Sequence, residues 1–374
     1  VLNIAPGTHA MRATILAAAG LAAAAASREA PTLIDIVVAE DTPYACLRVP
    51  SAVSLPGDPR ILVFLEARKG SCEDQAPKDI VLCESSDNGT TWSAPRVVVG
   101  STVALSNQTY RNPYAGFAHD GTLLLQFVNS TLDEPWTSLW QSSADMGQSW
   151  GPIQRAGLPL QALDGVLAGP GSSITLGKWS SRSNYSGRIV SCGATGYHDG
   201  HSMLAALWFS DDNGVTWKMS TPTFDGMAEC QPAELRDGTL MVTFRAKHKN
   251  KTCDCRAHSV SANGGETWRP SLTWDPQLIE PVCSAGLLAT KWGLFFSNPA
   301  SRSKRVDMTL RWSQDEGRTW PESELVWGGP SAYSTLVELP SGVGVVFERG
   351  DKSTYQKITF SLHQGVMPDS GAAL

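Results

Sequence analysis

One eight-residue phrase, Ser-x-Asp-x-Gly-x-Thr-Trp, constrains this chain more than anything else in it. It occurs as Ser85–Trp92, as Ser143–Trp150 with Ser149 in the Thr place, and as Ser210–Trp217. Ser261–Trp268 carries Asn263 for Asp, and Ser313–Trp320 is the fifth copy. The phrase reads as a hairpin turn: Asp or Asn folds back onto the backbone, and Gly takes the left-handed position. The Trp then returns to a packed face with its ring buried. The copies start at 85, 143, 210, 261 and 313, so they are 58, 67, 51 and 52 residues apart. Self-similarity at a period near 50 implies stacked or radially arranged units.

Between the copies lie short apolar runs bounded by turns, such as Ile61–Leu65, Thr122–Val128, Met203–Phe209, Thr239–Phe244 and Gly293–Phe296. Asp120-Gly121, Asp237-Gly238 and Ser341-Gly342 are hairpin signals in front of such runs. No long stretch carries helical periodicity. About four strands per unit, repeated with this period, predict an all-β propeller. The segments before Ser85 and after Trp320 leave room for one more blade, closed by strands from both ends.

A net charge of −6 gives no basic face for nucleic acid, and an anionic substrate then needs a local cationic pocket. Met11-Arg12 precedes an Ala-rich apolar run to Ala26, which is too short for a membrane span and suits the core of a secretory signal. Residues 1–27 are therefore expected to be a leader, and no other run is long enough to cross a bilayer. The eight cysteines form no zinc pattern and predict a mixture of buried thiols and a few disulfides; Cys253 and Cys255 fall on one side of a strand. His198 and His201 read as turn residues rather than metal ligands, and neither a metal nor a cofactor is expected. Sequons at Asn88, Asn107, Asn129, Asn184 and Asn250 lean towards a secretory route, with Asn88 expected to be exposed on its turn.

Propeller loops converge on an axis, so polar residues at strand ends are the candidates for chemistry. These are Arg48, Arg68, Asp74, Glu229, Arg245, Arg305, Tyr333 and Glu348. On position alone each arginine reads as a solvated charge, each carboxylate as solvated or paired, and Tyr333 as a core or turn residue.

The five turns are similar to the Asp boxes of the sialidases. Phe64–Lys69, Glu229–Pro232, Cys253–Arg256, Phe295–Ala300, Thr309–Ser313 and Gly329–Ser334 resemble that family's active-site motifs, above all those of the animal lysosomal branch. The likeness runs from about Cys46 to Glu348. It implies a six-bladed β-propeller over residues 33–365, with a short tail at 366–374, that releases terminal sialic acids from glycoproteins, glycolipids and oligosaccharides with retention of configuration. By motif position, Arg48, Arg245 and Arg305 match the triad that holds the substrate carboxylate; a guanidinium is always charged and offers a planar fork. Arg68 matches a further pocket arginine, and Glu348 the acid that steadies the first triad arginine. Tyr333 matches the nucleophile, Glu229 its base and Asp74 the general acid, which should have a raised pKa or work at acidic pH. A neutral phenol avoids the repulsion a carboxylate would meet beside the substrate's own carboxylate.

The pattern is not followed everywhere. Leu47 and Val49 replace an aromatic residue and Ile around Arg48, with an effect expected on packing alone. The loop 70–78 is the least similar stretch, and Glu73 and Asp79 rival Asp74 there. The animal enzyme ends in a tyrosine-based sorting signal that Asp369–Leu374 lacks, which counts against lysosomal delivery; the expected destination is the secretory route, lysosomal or secreted. Family members of this kind also work within protein complexes or homo-oligomers. Other readings of the same residues are a hydrolase for deaminated sialic acid, a trans-sialidase, or a glycan-binding propeller without catalysis. The joint presence of Tyr333, Glu229 and Asp74 favours an enzyme.

Overall fold

The computed structural model describes residues 31–55, 57–100, 109–130, 136–158, 167–169, 171–177, 184–196, 203–247 and 252–364. The expected leader and tail, two sequons (Asn107 and Asn250) and both His198 and His201 lie outside them. Apart from a three-residue turn of 3-10 helix at Ala39–Asp41, the named elements are strands. No helix among the described residues is long and apolar enough to cross a membrane.

The strands form five hydrogen-bonded sheets in a propeller-like arrangement. The first holds Cys46–Ser54, Ile61–Arg68, Lys78–Ser85 and Arg96–Val99. The second is built on Thr109–Phe117, Leu123–Ser130 and Thr137–Ser143, the third on Ile189–Gly196 and Met203–Ser210. The fourth holds Met227–Glu234, Leu240–Ala246, Cys255–Ser261 and Thr273–Ile279. The fifth has seven strands, so the sheets do not divide into six separate blades. The reason is one uninterrupted strand, Glu322–Leu339, which pairs with Val306–Ser313 along its first half and with Gly342–Arg349 along its second. Leu33–Val38 completes this sheet by pairing with Lys357–His363, which brings the two ends of the described chain together.

The apolar runs read from the sequence are the middle strands. Phe64, Phe127, Phe244, Phe295 and Phe347 each lie on one and are fully buried. Such two-sided burial explains why these runs are continuous rather than alternating.

The repeated phrase makes the same hydrogen bonds each time. In the last copy Ser313 Oγ donates to Asp315 Oδ1 at 2.7 Å and accepts from Gly317 N at 2.8 Å. Asp315 accepts from Thr319 N at 2.8 Å and from Thr319 Oγ1 at 2.7 Å. Asn263 keeps the main-chain bond, accepting from Thr267 N at 3.0 Å, and turns its amide to donate to Thr267 Oγ1. The residue before the glycine is also left-handed, as at Asn88, Met146, Asn213 and Glu316. The glycine is needed for closeness as well as for φ: a Cβ on Gly89 would sit 2.2 Å from Phe360, a residue of the seven-stranded sheet. Gly147 meets Leu82 and Gly317 meets Met241 in the same manner, so each turn fastens its sheet to the one before. Trp217, Trp268 and Trp320 are buried as expected, whereas Trp92 and Trp150 are only half-buried.

One further expectation changes. Asn88 is half-buried, with its side-chain oxygen inside, because it occupies the tight left-handed corner; among the described residues Asn184 is the exposed sequon. The cysteines form the disulfides Cys46–Cys72, Cys192–Cys230 and Cys253–Cys255, leaving Cys83 and Cys283 as buried thiols.

Candidate active site

Three of the candidate residues sit where the inner strands break their regular pairing. Register shifts fall between Arg48 and Ser51, between Met227 and Cys230, and between Ser331 and Ser334. Such bulges re-aim side chains without ending the strand. They turn Arg48, Glu229 and Tyr333 out of the alternation that the sequence suggests. Val49 shows the consequence: its φ is 57°, a left-handed conformation rare for a β-branched residue.

Glu348 holds that corner. Its Oε1 accepts from Val49 N at 2.8 Å and from Arg48 Nε at 3.2 Å; its Oε2 accepts from Arg48 Nη2 at 3.3 Å and from Tyr333 N at 3.1 Å. Glu348 is fully buried, so its charge needs these four donors. Val49 therefore contributes a main-chain donor as well as packing.

Tyr333 Oη donates to Glu229 Oε1 at 2.7 Å. Arg245 Nη1 donates to Tyr333 Oη at 2.8 Å and to both Glu229 oxygens, at 2.8 and 2.9 Å. Burial raises the pKa of Glu229, but the Arg245 charge and then the Tyr333 hydrogen bond outweigh it, and the net shift is downward. Burial first, then the Glu229 charge, push the Tyr333 phenol far upward, with Arg245 and Arg48 opposing. At neutral pH the pair is thus a phenol hydrogen-bonded to a carboxylate.

Three guanidinium groups surround the Tyr333 ring, with Cζ 5.2 Å away for Arg48, 5.5 Å for Arg305 and 6.0 Å for Arg245. The structure therefore brings the three sequence-predicted arginines to one place from three sheets. Arg305 donates to Tyr355 Oη at 2.9 Å, and Arg48 lies 3.9 Å over the Tyr355 ring.

Asp74 lies on the loop between Arg68 and Lys78, with its side chain 75% exposed. Its Oδ1 is 2.8 Å from Arg68 Nη2 and 3.7 Å from Arg48 Nη1. Of its rivals, Asp79 is buried and bound by Lys69 at 2.8 Å and Tyr44 at 3.1 Å, and Glu73 is exposed. The expected raised pKa of Asp74 is not found. Partial burial raises it, but the charge and hydrogen bond of Arg68, then the Arg48 charge, bring it below the ordinary carboxylate value. Arg68 is itself held by Glu66 at 2.9 Å and by the Cys72 carbonyl at 2.6 Å. Cys46–Cys72 ties this loop to the strand of Arg48, each cysteine lying two residues before a site residue.

Several residues at the site carried no sequence signal. Tyr355 lies in a polar turn whose place against two arginines depends on the ring closing. Lys247, just beyond the end of the Leu240–Ala246 strand, adds a further positive charge beside Arg245 and Glu229. Arg256 and Glu280 form a fully buried pair at 2.8 Å, and Glu280 also accepts from Ala246 N, which fixes the strand end beyond Arg245. Glu280 has its pKa raised by burial, against the pull of Arg256.

Known proteins are similar to this chain over most of its length. The family described as BNR repeat-like domain matches residues 48–345. The chain belongs to this family. It is 27% identical over 351 residues to the sialidase of Micromonospora viridifaciens, covering 85% of this chain and 52% of that one. Against Sialidase-3 of Rattus norvegicus it is 24% identical, over 84% of this chain and 90% of the relative. The solved Hadza microbial sialidase Hz136 superposes with a TM-score of 0.77 at 25% identity, over 90% of this chain and 69% of the other. These relatives make it a sialidase-family protein, one that spans about half the length of its Micromonospora relative.

Proposed function

We propose that this sialidase-family chain is a retaining exo-α-sialidase acting on terminal sialic acids of glycoproteins, glycolipids and oligosaccharides. The observation that carries the reading is the 2.7 Å Tyr333–Glu229 hydrogen bond inside a ring of three arginines. Arg48, Arg245 and Arg305 bind the substrate carboxylate, with Arg68 beside them and Glu348 steadying Arg48. Tyr333 attacks the anomeric carbon while Glu229 takes the phenolic proton and Asp74 protonates the departing glycosidic oxygen. The Asp74 carboxylate then takes a proton from water, which displaces Tyr333; the phenolate recovers its proton from Glu229. No cofactor enters these steps.

The lowered pKa of Asp74 fits if the substrate carboxylate occupies Arg48 and cancels positive charge beside Asp74, so that the acid is protonated only once substrate is bound. We read residues 33–365 as the propeller, with the seven-stranded sheet closing its ring. A secretory route, lysosomal or secreted, is supported by the three disulfides, which persist in oxidising compartments.

The test is proton NMR of the purified chain with 3′-sialyllactose. We expect the α-anomer of free sialic acid to appear first. Release of the β-anomer first contradicts the Tyr333 role, an anhydro or transferred product indicates a trans-sialidase, and binding without turnover indicates a lectin. A parallel assay on deaminated sialosides decides between the two hydrolase readings.

A further inference from the structure

Asp74 presents a difficulty that its own side chain does not solve. An acid must sit within hydrogen-bond reach of one leaving oxygen, and misplacement by about 1 Å costs on the order of 10²-fold. Yet this carboxyl is 75% exposed on a loop, and its one close partner is Arg68 at 2.8 Å. A single ion pair leaves the loop beneath it to be fixed through the main chain.

The carbonyl oxygen of Asp74 takes two cationic donors, Lys78 Nζ at 2.7 Å and Arg111 Nη2 at 3.0 Å. Lys78 also donates to the Ala76 carbonyl at 2.9 Å, and Arg111 reaches Gln75 Oε1 at 3.4 Å. The two donors come from different sheets: Lys78 opens a strand of the first, and Arg111 lies on the inner strand of the second. The loop is therefore pinned across the seam. Lys78 is only 1% exposed, a rare state for a lysine. Burial pulls its ammonium down to about 8, with Arg111 and Arg68 adding to the pull and Glu66 and Asp74 opposing it. A charge kept in so unfavourable a place, and spent on two carbonyls of one loop, is unusual for a residue that only fills space. Two such charge-assisted bonds are stronger than neutral ones and remove the loop's freedom at the residue that matters.

We propose that Lys78 and Arg111 are positioning residues that set Asp74 for proton donation by clamping its carbonyl oxygen. The inference rests on the acid role given to Asp74 above. A clamp and a merely structural pair differ in one measurable respect. Proton donation matters for a poor leaving group, such as the sugar of 3′-sialyllactose, and hardly at all for an activated aryl sialoside.

The experiment compares kcat for these two substrates in the wild type, Asp74→Ala, Lys78→Met and Arg111→Met. We expect Lys78→Met and Arg111→Met each to lower kcat on sialyllactose by about 10–100-fold and on the aryl sialoside by less than about 3-fold, with Asp74→Ala showing the same pattern more strongly. Equal losses on both substrates, or none, in the clamp variants while Asp74→Ala keeps its pattern overturn the clamp alone. Loss of the pattern in Asp74→Ala overturns the acid assignment and the clamp with it. Should Lys78→Met fail to fold, Lys78→Arg and Arg111→Lys carry the test: a changed substrate ratio supports the clamp and an unchanged one refutes it.

Discussion

Glu348 Oε1 accepts the main-chain N–H of Val49 at 2.8 Å, and Glu66 Oε1 accepts that of Asn112 at the same distance. Val49 and Asn112 have φ of 57° and 53°, both on inner strands of adjacent sheets. Each carboxylate also binds an arginine of the site, Arg48 for Glu348 and Arg68 for Glu66. One device, a buried acid spanning a bulge amide and a guanidinium, is thus used twice. Neutralising Glu348 as Glu348→Gln should replace an acceptor by a donor facing N–H groups. We expect kcat/KM for sialyllactose to fall by about 100-fold, mostly through KM, with a lowered thermal midpoint. An unchanged KM argues against Arg48 as a carboxylate ligand.

The Tyr333 hydroxyl sits between Arg245 and Glu229, which also bond each other directly. Tyr333→Phe should therefore fold normally, because Glu229 keeps its cation. Turnover should drop by on the order of 10³-fold or more, since the proposed nucleophile is gone. Steady-state kinetics with a thermal melt separates the two effects, and turnover at the wild-type rate rules out the mechanism.

Arginine charge holds the Asp74 pKa down in the free protein. On the proposed binding mode, sialic acid would bring a carboxylate to the same arginines, so in the complex the value should rise. The profile of kcat/KM follows the free enzyme and that of kcat the complex. Activity needs the protonated acid, so it falls as pH rises through this pKa. The alkaline limb should thus stand at higher pH in kcat than in kcat/KM, and in both the optimum is acidic. Profiles on sialyllactose from about pH 3 to 9, spanning the carboxylate range, check the order, and coincident limbs exclude the charge relay.

A Cβ on Gly89 would collide with Phe360 at 2.2 Å, and the φ of 85° disfavours any side chain. Gly89→Ala should cost roughly 2–4 kcal/mol of stability. Asn263→Asp should change stability by less than about 0.5 kcal/mol, because Asn already makes the main-chain bond of the turn. Chemical denaturation of both variants measures the contrast.

The repeated phrase was legible because Asp, Gly and Thr have local jobs: their bonds reach only four residues along the chain. The middle strands were legible for a similar reason, since complete burial leaves an unbroken apolar run. The site was harder. Arg48 and Glu348 are paired across 300 residues, and neither shows this in its neighbours. The family likeness supplied what local chemistry could not. It did not supply Tyr355, Lys78 or Arg111, whose roles depend on which loops meet at a seam. The merging of the last sheets was not legible, because nothing local in Glu322–Leu339 shows that one strand pairs with two different neighbours.

That long strand has a mechanical consequence. Its first half pairs with the strand that follows Arg305, and its second half carries Tyr333. Arg305 and Tyr333 are thus joined through one hydrogen-bonded ladder, whereas Arg48 and Arg245 reach the same phenol from other sheets. In the engineer's sense Tyr333 is bolted to the frame, on a strand gripped by one neighbour along each half.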